Sequence, residues 1–228
     1  MEIFLDTVNI DDIKKYVNLG IIDGVTTNPA LMALEGKLDI KKVIIQICDL
    51  VQGPVSVEVV SQKAEGMFEE AIKLSEVHDN VVVKIPSIEE GFRALNLIKK
   101  SSKNIKTNFT VLYTANQALL AAKLGATYVS PFIGRLDINS TSGTELISEI
   151  RKIYDNYEFT TKILAASMRT AVHVKESALA GADVATVPTN SLEDMINNEL
   201  SKNALKGFLE SWNKEYKGKT MLDHEVDK

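Results

Sequence analysis

The stretch Val81-Val82-Val83-Lys84-Ile85-Pro86 is a run of β-branched residues that carries one lysine and is closed by a proline. It is too short for a helix and reads as a strand buried on both faces, as in a parallel sheet. On either side the pattern changes to helical periodicity, over 64 to 78 before it and 88 to 101 after it. The same alternation extends in both directions. Strands are expected near residues 2 to 6, 22 to 27, 55 to 59, 81 to 85, 105 to 109, 127 to 130, 161 to 166 and 183 to 187. Helices are expected over 10 to 18, 39 to 51, 115 to 124, 143 to 156, 170 to 180 and 191 to 197 as well as the two already given. Ser87 with Glu90, and Ser142 with Glu145, have the spacing of a capping box.

Strict βα alternation implies parallel strands, because each strand returns to the same end through a crossover helix. Eight such units predict an α/β fold, a closed (β/α)8 TIM barrel forming a single domain over residues 1 to 228. The competing open doubly wound sheet usually carries a glycine-rich phosphate loop, and neither GxGxxG nor GxxxxGK[ST] occurs. Pro29, Pro86, Pro131 and Pro188 follow the second, fourth, sixth and eighth strands, where pairing stops and a loop begins. One further helix over 200 to 216 carries Ala204, Leu205, Phe208, Leu209, Trp212 and Tyr216. That apolar face packs either on its own barrel or on a neighbouring subunit. Residues 217 to 228 read as a polar, mobile tail.

A chain of 228 residues buries roughly three quarters of its unfolded surface, so neither metal nor disulfide is needed to hold it together. The single Cys48 has no internal partner, and the absence of CxxC or Cys/His pairing excludes a zinc or redox motif. Among Ile44, Ile45, Ile47 and Leu50 it is expected as a buried apolar filler. With 26 Lys and Arg against 31 Asp and Glu the net charge is −5, so no general field attracts nucleic acid. No apolar run is long enough to span a bilayer, and the opening residues have no basic segment ahead of an apolar one. A cytoplasmic protein without nucleic-acid or membrane partners is expected, and any anionic ligand must be held by a few local cations. His78, His173 and His224 fall in helical segments or the tail and are expected at the surface.

In a (β/α)8 barrel the active site lies at the C-terminal ends of the strands. Asp6 ends the first strand, Thr26-Thr27-Asn28 the second, Glu58 the third and Lys84 lies in the fourth. Asn108 and Thr110 follow on the fifth, Ser130 on the sixth, and Ser167 and Arg169 on the seventh. So many polar side chains on one rim exceed what a packed interior tolerates without a use. Burying the Lys84 ammonium in this apolar strand is costly, which favours the free amine and points to a Schiff base with a carbonyl substrate. The alternative is a lysine that reaches solvent or pairs with Asp6 or Glu58. One lysine with two separate carboxylates suits aldol chemistry, which moves protons at the substrate carbonyl carbon and at a hydroxyl further along. Asn28, Asn108, Thr110 and Ser130 offer neutral hydrogen bonds suited to sugar hydroxyls. Arg135 just beyond the sixth strand, with Ser167, Arg169 and a helix N-terminus, makes a phosphate site.

Taken in order, Phe4-Leu5-Asp6-Thr7, Thr26-Thr27-Asn28-Pro29, Val57-Glu58-Val59, Val83-Lys84-Ile85-Pro86, Asn108-Phe109-Thr110, Ser130-Pro131-Phe132-Ile133-Gly134-Arg135 and Ala166-Ser167-Met168-Arg169 form a set. The set resembles the transaldolase family, in the short single-barrel branch that also contains fructose-6-phosphate aldolases. The resemblance implies a Schiff base at Lys84 with no metal or organic cofactor. It implies Asp6 as the acid/base for carbon–carbon cleavage, and Glu58 with Thr110, through a shared water, for the protons of Schiff base formation. Asn28, Asn108 and Ser130 would hold the dihydroxyacetone unit beside Thr26, and Arg135, Ser167 and Arg169 the phosphate. The branch typically assembles into pentamers or decamers in which the C-terminal helix reaches a neighbour. Its aldolases have Gln where this chain has Glu58 and Tyr where it has Phe132, so the resemblance favours transaldolase. Fructose-6-phosphate aldolase-like cleavage and a catalytically inactive phosphosugar-binding barrel are the alternatives.

Overall fold

The computed structural model describes residues 1–36, 39–139 and 142–223, which divide into two compact units, one over residues 1–192 and one from Glu193 onward. In the first, eight parallel strands close into a barrel in chain order. They are β1 (Glu2–Asp6), β2 (Gly24–Thr26), β3 (Val55–Glu58), β4 (Val81–Pro86), β5 (Thr107–Leu112), β6 (Tyr128–Pro131), β7 (Lys162–Ala165) and β8 (Val184–Val187). The connecting helices are α1 (Ile10–Asn18), α2 (Pro29–Leu34), α3 (Ile40–Val51), α4 (Ala64–Ser75), α5 (Glu89–Lys100), α6 (Ala115–Lys123), α7 (Ile133–Ile138), α8 (Gly143–Asn156) and α9 (Ala171–Leu179). A tenth, α10 (Thr189–Ile196), follows β8. This is the TIM barrel that the alternation predicts, with two short helices, α2 and α7, inserted in βα loops where no helix was expected.

The strands separate two apolar populations by their period of two. Leu5, Val25, Val55, Val57, Val83, Ile85, Phe109 and Val129 belong to a cluster shared with buried faces of the surrounding helices, including Ile13, Ile47, Met67 and Leu95. Phe4, Val82, Tyr128, Leu164 and Val184 form a second cluster. Phe4 and Tyr128 meet edge to face there, ring centroids 6.2 Å apart. Gly24 makes room for this packing: a Cβ at that position would lie 2.8 Å from the Phe4 ring and 2.6 Å from the Pro54 carbonyl oxygen. Cys48 is buried in the first cluster, and burial pushes its thiol up to about 11, so it stays protonated and apolar as expected.

Two local expectations fail for identifiable reasons. The Ser87–Glu90 capping box does not form: the Ser87 hydroxyl donates to the Val111 carbonyl at 2.6 Å and accepts from Gln117 Nε2 at 3.1 Å. Glu90 instead accepts the N–H of Ala64 at 2.9 Å, at the start of α4, whose N-cap Lys63 has no capping side chain of its own. The complete capping box is Thr114 with Gln117 on α6, while Ser142 caps α8 by accepting from Glu145 N–H. Strand β5 also runs three residues past its expected end. Its register with β6 shifts between Phe109 and Leu112, and Val111 in that interval has φ +56°, a left-handed conformation rare for a β-branched residue.

In the second unit α11 (Glu199–Tyr216) is the expected C-terminal helix, capped by the Asn198 side chain and ended by Lys217 in the left-handed region. Leu205, Phe208 and Leu209 are exposed along it. Residues 224–228, which include His224 and the end of the expected tail, lie outside the described residues. Among those described, no helix is long and apolar enough to cross a membrane.

Candidate active site

The register of the sheet sets the site. Asp6 pairs with Thr26, Glu58 with Lys84, and Lys84 with Asn108. Asp6, Thr26, Glu58 and Lys84 stand two positions along their strands from Phe4, Gly24, Ser56 and Val82, so these polar side chains rise above the apolar Phe4 cluster. A cavity of about 530 Å³ opens there. Asp6, Thr26, Asn28, Glu58, Lys84 and Ser130 line it, as do Phe132, Arg135, Ser167 and Arg169. Asn108 and Thr110 do not line it and are fully buried beside it. A larger, mostly apolar cavity of about 730 Å³, lined by Met32, Ile40, Val57 and Leu74, also has Glu58 and Asn28 in its lining but neither Lys84 nor Asp6. The convergent polar groups belong to the smaller one.

Lys84 sits at the centre, its side chain only 7% exposed. Nζ donates to the Thr27 carbonyl at 3.0 Å and lies 3.3 Å from Glu58 Oε2, whose side chain is 16% exposed. The ion pair with Glu58 that the sequence allowed is therefore formed, and it places a proton acceptor against the amine. Asp6 accepts from the Thr26 hydroxyl at 2.7 Å, and Thr26 Oγ1 lies 2.5 Å from Thr186 Oγ1. With the Thr26 proton committed to Asp6, Thr186 is the donor of that second bond. Burial pushes the Asp6 carboxyl above its ordinary range, and the Thr26 hydrogen bond and the charge of Lys84 pull it back only in part.

Asn108 is held on both sides: its Nδ2 donates to Ser56 Oγ at 3.2 Å and its Oδ1 accepts from Ser130 Oγ at 2.6 Å. Asn28 caps α2, its Oδ1 accepting the Leu31 N–H at 2.9 Å, which leaves its amide N–H groups for the cavity. The buried Thr110 hydroxyl has no hydrogen-bond partner among the described residues. Arg135 on α7 lies 5.9 Å over the Phe132 ring, and among the described residues neither Arg135 nor Arg169 has a carboxylate partner. Ser167 has φ +59°, a strained turn on the cavity wall. Among the described residues no three His, Cys, Asp or Glu side chains are grouped to hold a metal ion.

Three further residues belong to this arrangement. Ser56 and Thr186 complete the hydroxyl networks; each stands in an otherwise apolar strand, two residues from another inward position, a signal the periodicity contains. His173 corrects an expectation. It is not a surface residue: its side chain is 16% exposed and contacts Arg169 and Asp137.

Comparison with known proteins identifies relatives of the chain as a whole. The family profile described as Transaldolase/Fructose-6-phosphate aldolase matches residues 3–228. A protein of Carboxydothermus hydrogenoformans named "Probable transaldolase" is 53% identical over 93% of this chain and 98% of its own. One of Caldicellulosiruptor saccharolyticus with the same name is 53% identical over 94% and 98%. A solved thiamine phosphate pyrophosphorylase from Pyrococcus furiosus is similar with a TM-score of 0.56 at 14% identity, covering 82% of this chain and 85% of that one, a likeness of fold alone. A lysine and two carboxylates converging in a barrel mouth thus coincide with a match along almost the whole sequence, and the chain belongs to the transaldolase/fructose-6-phosphate aldolase family.

Proposed function

We propose that the protein is a transaldolase that moves a dihydroxyacetone unit from a ketose phosphate, sedoheptulose 7-phosphate or fructose 6-phosphate, to an aldose phosphate in the pentose phosphate pathway. The observation that carries this reading is the placement of Lys84 against Glu58, with the Asp6 carboxyl in the same cavity, its proton affinity raised by burial as a base requires. The Lys84 amine attacks the ketose carbonyl carbon and water leaves, giving a Schiff base. Glu58 moves protons in that step through a water shared with Thr110, a role supported by the Thr110 hydroxyl, which has no hydrogen-bond partner among the described residues. Asp6 takes the proton of the hydroxyl whose ionisation breaks the carbon–carbon bond, and the iminium nitrogen accepts the electron pair. Asn28 and Ser130, with Thr26 behind Asp6, hold the three-carbon unit, and Asn108 acts on it through the Ser130 hydroxyl that it holds. Arg135, Ser167 and Arg169 bind the phosphate, a reading supported by two guanidinium groups on one cavity that have no carboxylate partner among the described residues.

Glu58 and Phe132 distinguish transfer from simple cleavage. A tyrosine hydroxyl at position 132 could protonate the bound carbanion and release dihydroxyacetone, whereas the Phe132 ring has no proton to give. Glyceraldehyde 3-phosphate release from fructose 6-phosphate is therefore expected to depend on erythrose 4-phosphate as acceptor, and Phe132→Tyr to raise release without it. Equal release with and without acceptor in the unaltered protein would make it an aldolase.

The exposed Leu205, Phe208 and Leu209 of α11, at i, i+3 and i+4, form the apolar face by which the chain assembles into a homo-oligomer, a pentamer or decamer. The full chain is expected to sediment as that assembly and Phe208→Asp as a smaller species. A monomeric unaltered chain would refute the assignment.

A further inference from the structure

We propose that His173 is a positioning residue for the phosphate end of the cavity, setting the relation between Arg169 and Arg135. The inference rests on the reading that these two arginines take the phosphate.

His173 stands in the first turn of α9, where its own N–H is capped by Thr170 Oγ1. Its Nδ1 accepts the backbone N–H of Arg169 at 3.2 Å. In the neutral ring the proton therefore sits on Nε2, which lies 3.3 Å from Asp137 Oδ2 on α7. The other oxygen of Asp137 accepts the N–H of Gly143 at 2.8 Å, at the start of α8. One imidazole thus ties the loop after β7 to the short helix that carries Arg135, two residues before Asp137. The two segments also touch directly. A Cβ on Gly134 would lie 2.3 Å from the Ser167 carbonyl oxygen, 3.3 Å from Arg169 Cγ and 3.5 Å from His173 Cε1.

The loop needs such a tie. Ser167 is held in the left-handed region and Arg169 itself is exposed, so the Arg169 N–H bond to His173 is what fixes the backbone from which the guanidinium extends. Without it the arginine keeps its charge but loses its defined place on the cavity that Arg135 also lines. A bidentate clamp depends on position more than on charge.

The test compares His173→Ala and His173→Asn in the full-length enzyme, with thermal melts to verify folding. Asn retains an acceptor, Oδ1, at the place of Nδ1. For His173→Ala the KM for fructose 6-phosphate is expected to rise about 10-fold with kcat nearly unchanged, and the inhibition constant of inorganic phosphate to rise in parallel. Borohydride labelling of Lys84 by dihydroxyacetone, which has no phosphate, is expected to be unaffected. His173→Asn is expected to recover most of the phosphate affinity. The proposal is overturned if His173→Ala leaves KM and phosphate inhibition unchanged, if dihydroxyacetone labelling falls equally, or if Asn is no better than Ala. Arg135→Ala and Arg169→Ala separate this from the underlying reading. If they too leave phosphate inhibition unchanged, the phosphate assignment itself fails; if they weaken it and His173→Ala does not, only the positioning role fails.

Discussion

Lys84→Arg is expected to lose borohydride labelling by fructose 6-phosphate completely and to lower turnover on the order of 10⁴-fold or more, the scale on which a covalent catalyst fails without its nucleophile. Arginine is the informative replacement. It keeps a positive charge beside Glu58, so the loss cannot be ascribed to an unpaired carboxylate in a largely buried place, yet a guanidinium forms no stable imine. Lys84→Met removes the charge as well and should be equally inactive, with an added loss of stability from leaving Glu58 alone. Mass spectrometry of the trapped protein reads the outcome. A covalent adduct that persists in Lys84→Arg would place the Schiff base on another lysine and remove the basis of the proposed mechanism.

Asp6→Asn should separate activity from stability in opposite directions. Loss of the acid/base is expected to lower acceptor-dependent transfer on the order of 10²- to 10⁴-fold, while the Schiff base at Lys84 still forms and is still trapped. Because the folded-state value of Asp6 lies above 3.8, the native protein keeps a proton that the unfolded chain releases across the window above 3.8. Stability therefore declines as pH rises through that window, and the neutral Asn escapes the decline. Thermal melts at about pH 7 should show Asp6→Asn at least as stable as the unaltered protein, with any advantage gone near about pH 3, where Asp6 is protonated in both states. A destabilised variant at neutral pH would show that the carboxylate holds the Thr26–Thr186 hydroxyl chain together and contributes more than its burial costs.

Much of this is legible in the sequence. The run ending in Pro86 and its repeats along the chain were enough for the barrel, because a buried parallel strand can hardly avoid being apolar and a crossover helix can hardly avoid amphipathic periodicity. Asp6, Glu58 and Lys84 stood out as charges in places that burial should have emptied. What escaped detection was tertiary. Ser87 has the spacing of a cap, but the Val111 carbonyl on β5 and the Gln117 amide on α6 compete for its hydroxyl. Ser56 and Thr186 are ordinary hydroxyl residues until the register brings them to Asn108 and Thr26. His173 lies on a helix like any surface histidine, and only the meeting of α7 with the loop before α9 encloses it. The short helices α2 and α7 span six residues each, less than two turns, and so leave almost no period to read.

The separation of the strand residues into two populations bears on how such a protein can change. Outward-facing positions are committed to the helices, so altering them risks the whole shell. The Phe4 cluster forms a floor with its own packing, and the polar layer stands on the strand ends above it, in a cavity also lined by the short helices α2 and α7. Replacements at the mouth can therefore be tried against a background that stays intact, one strand end at a time. A family in which a single barrel serves both group transfer and plain cleavage is what that architecture permits: the reaction is adjustable in one layer while foldability is held in the others.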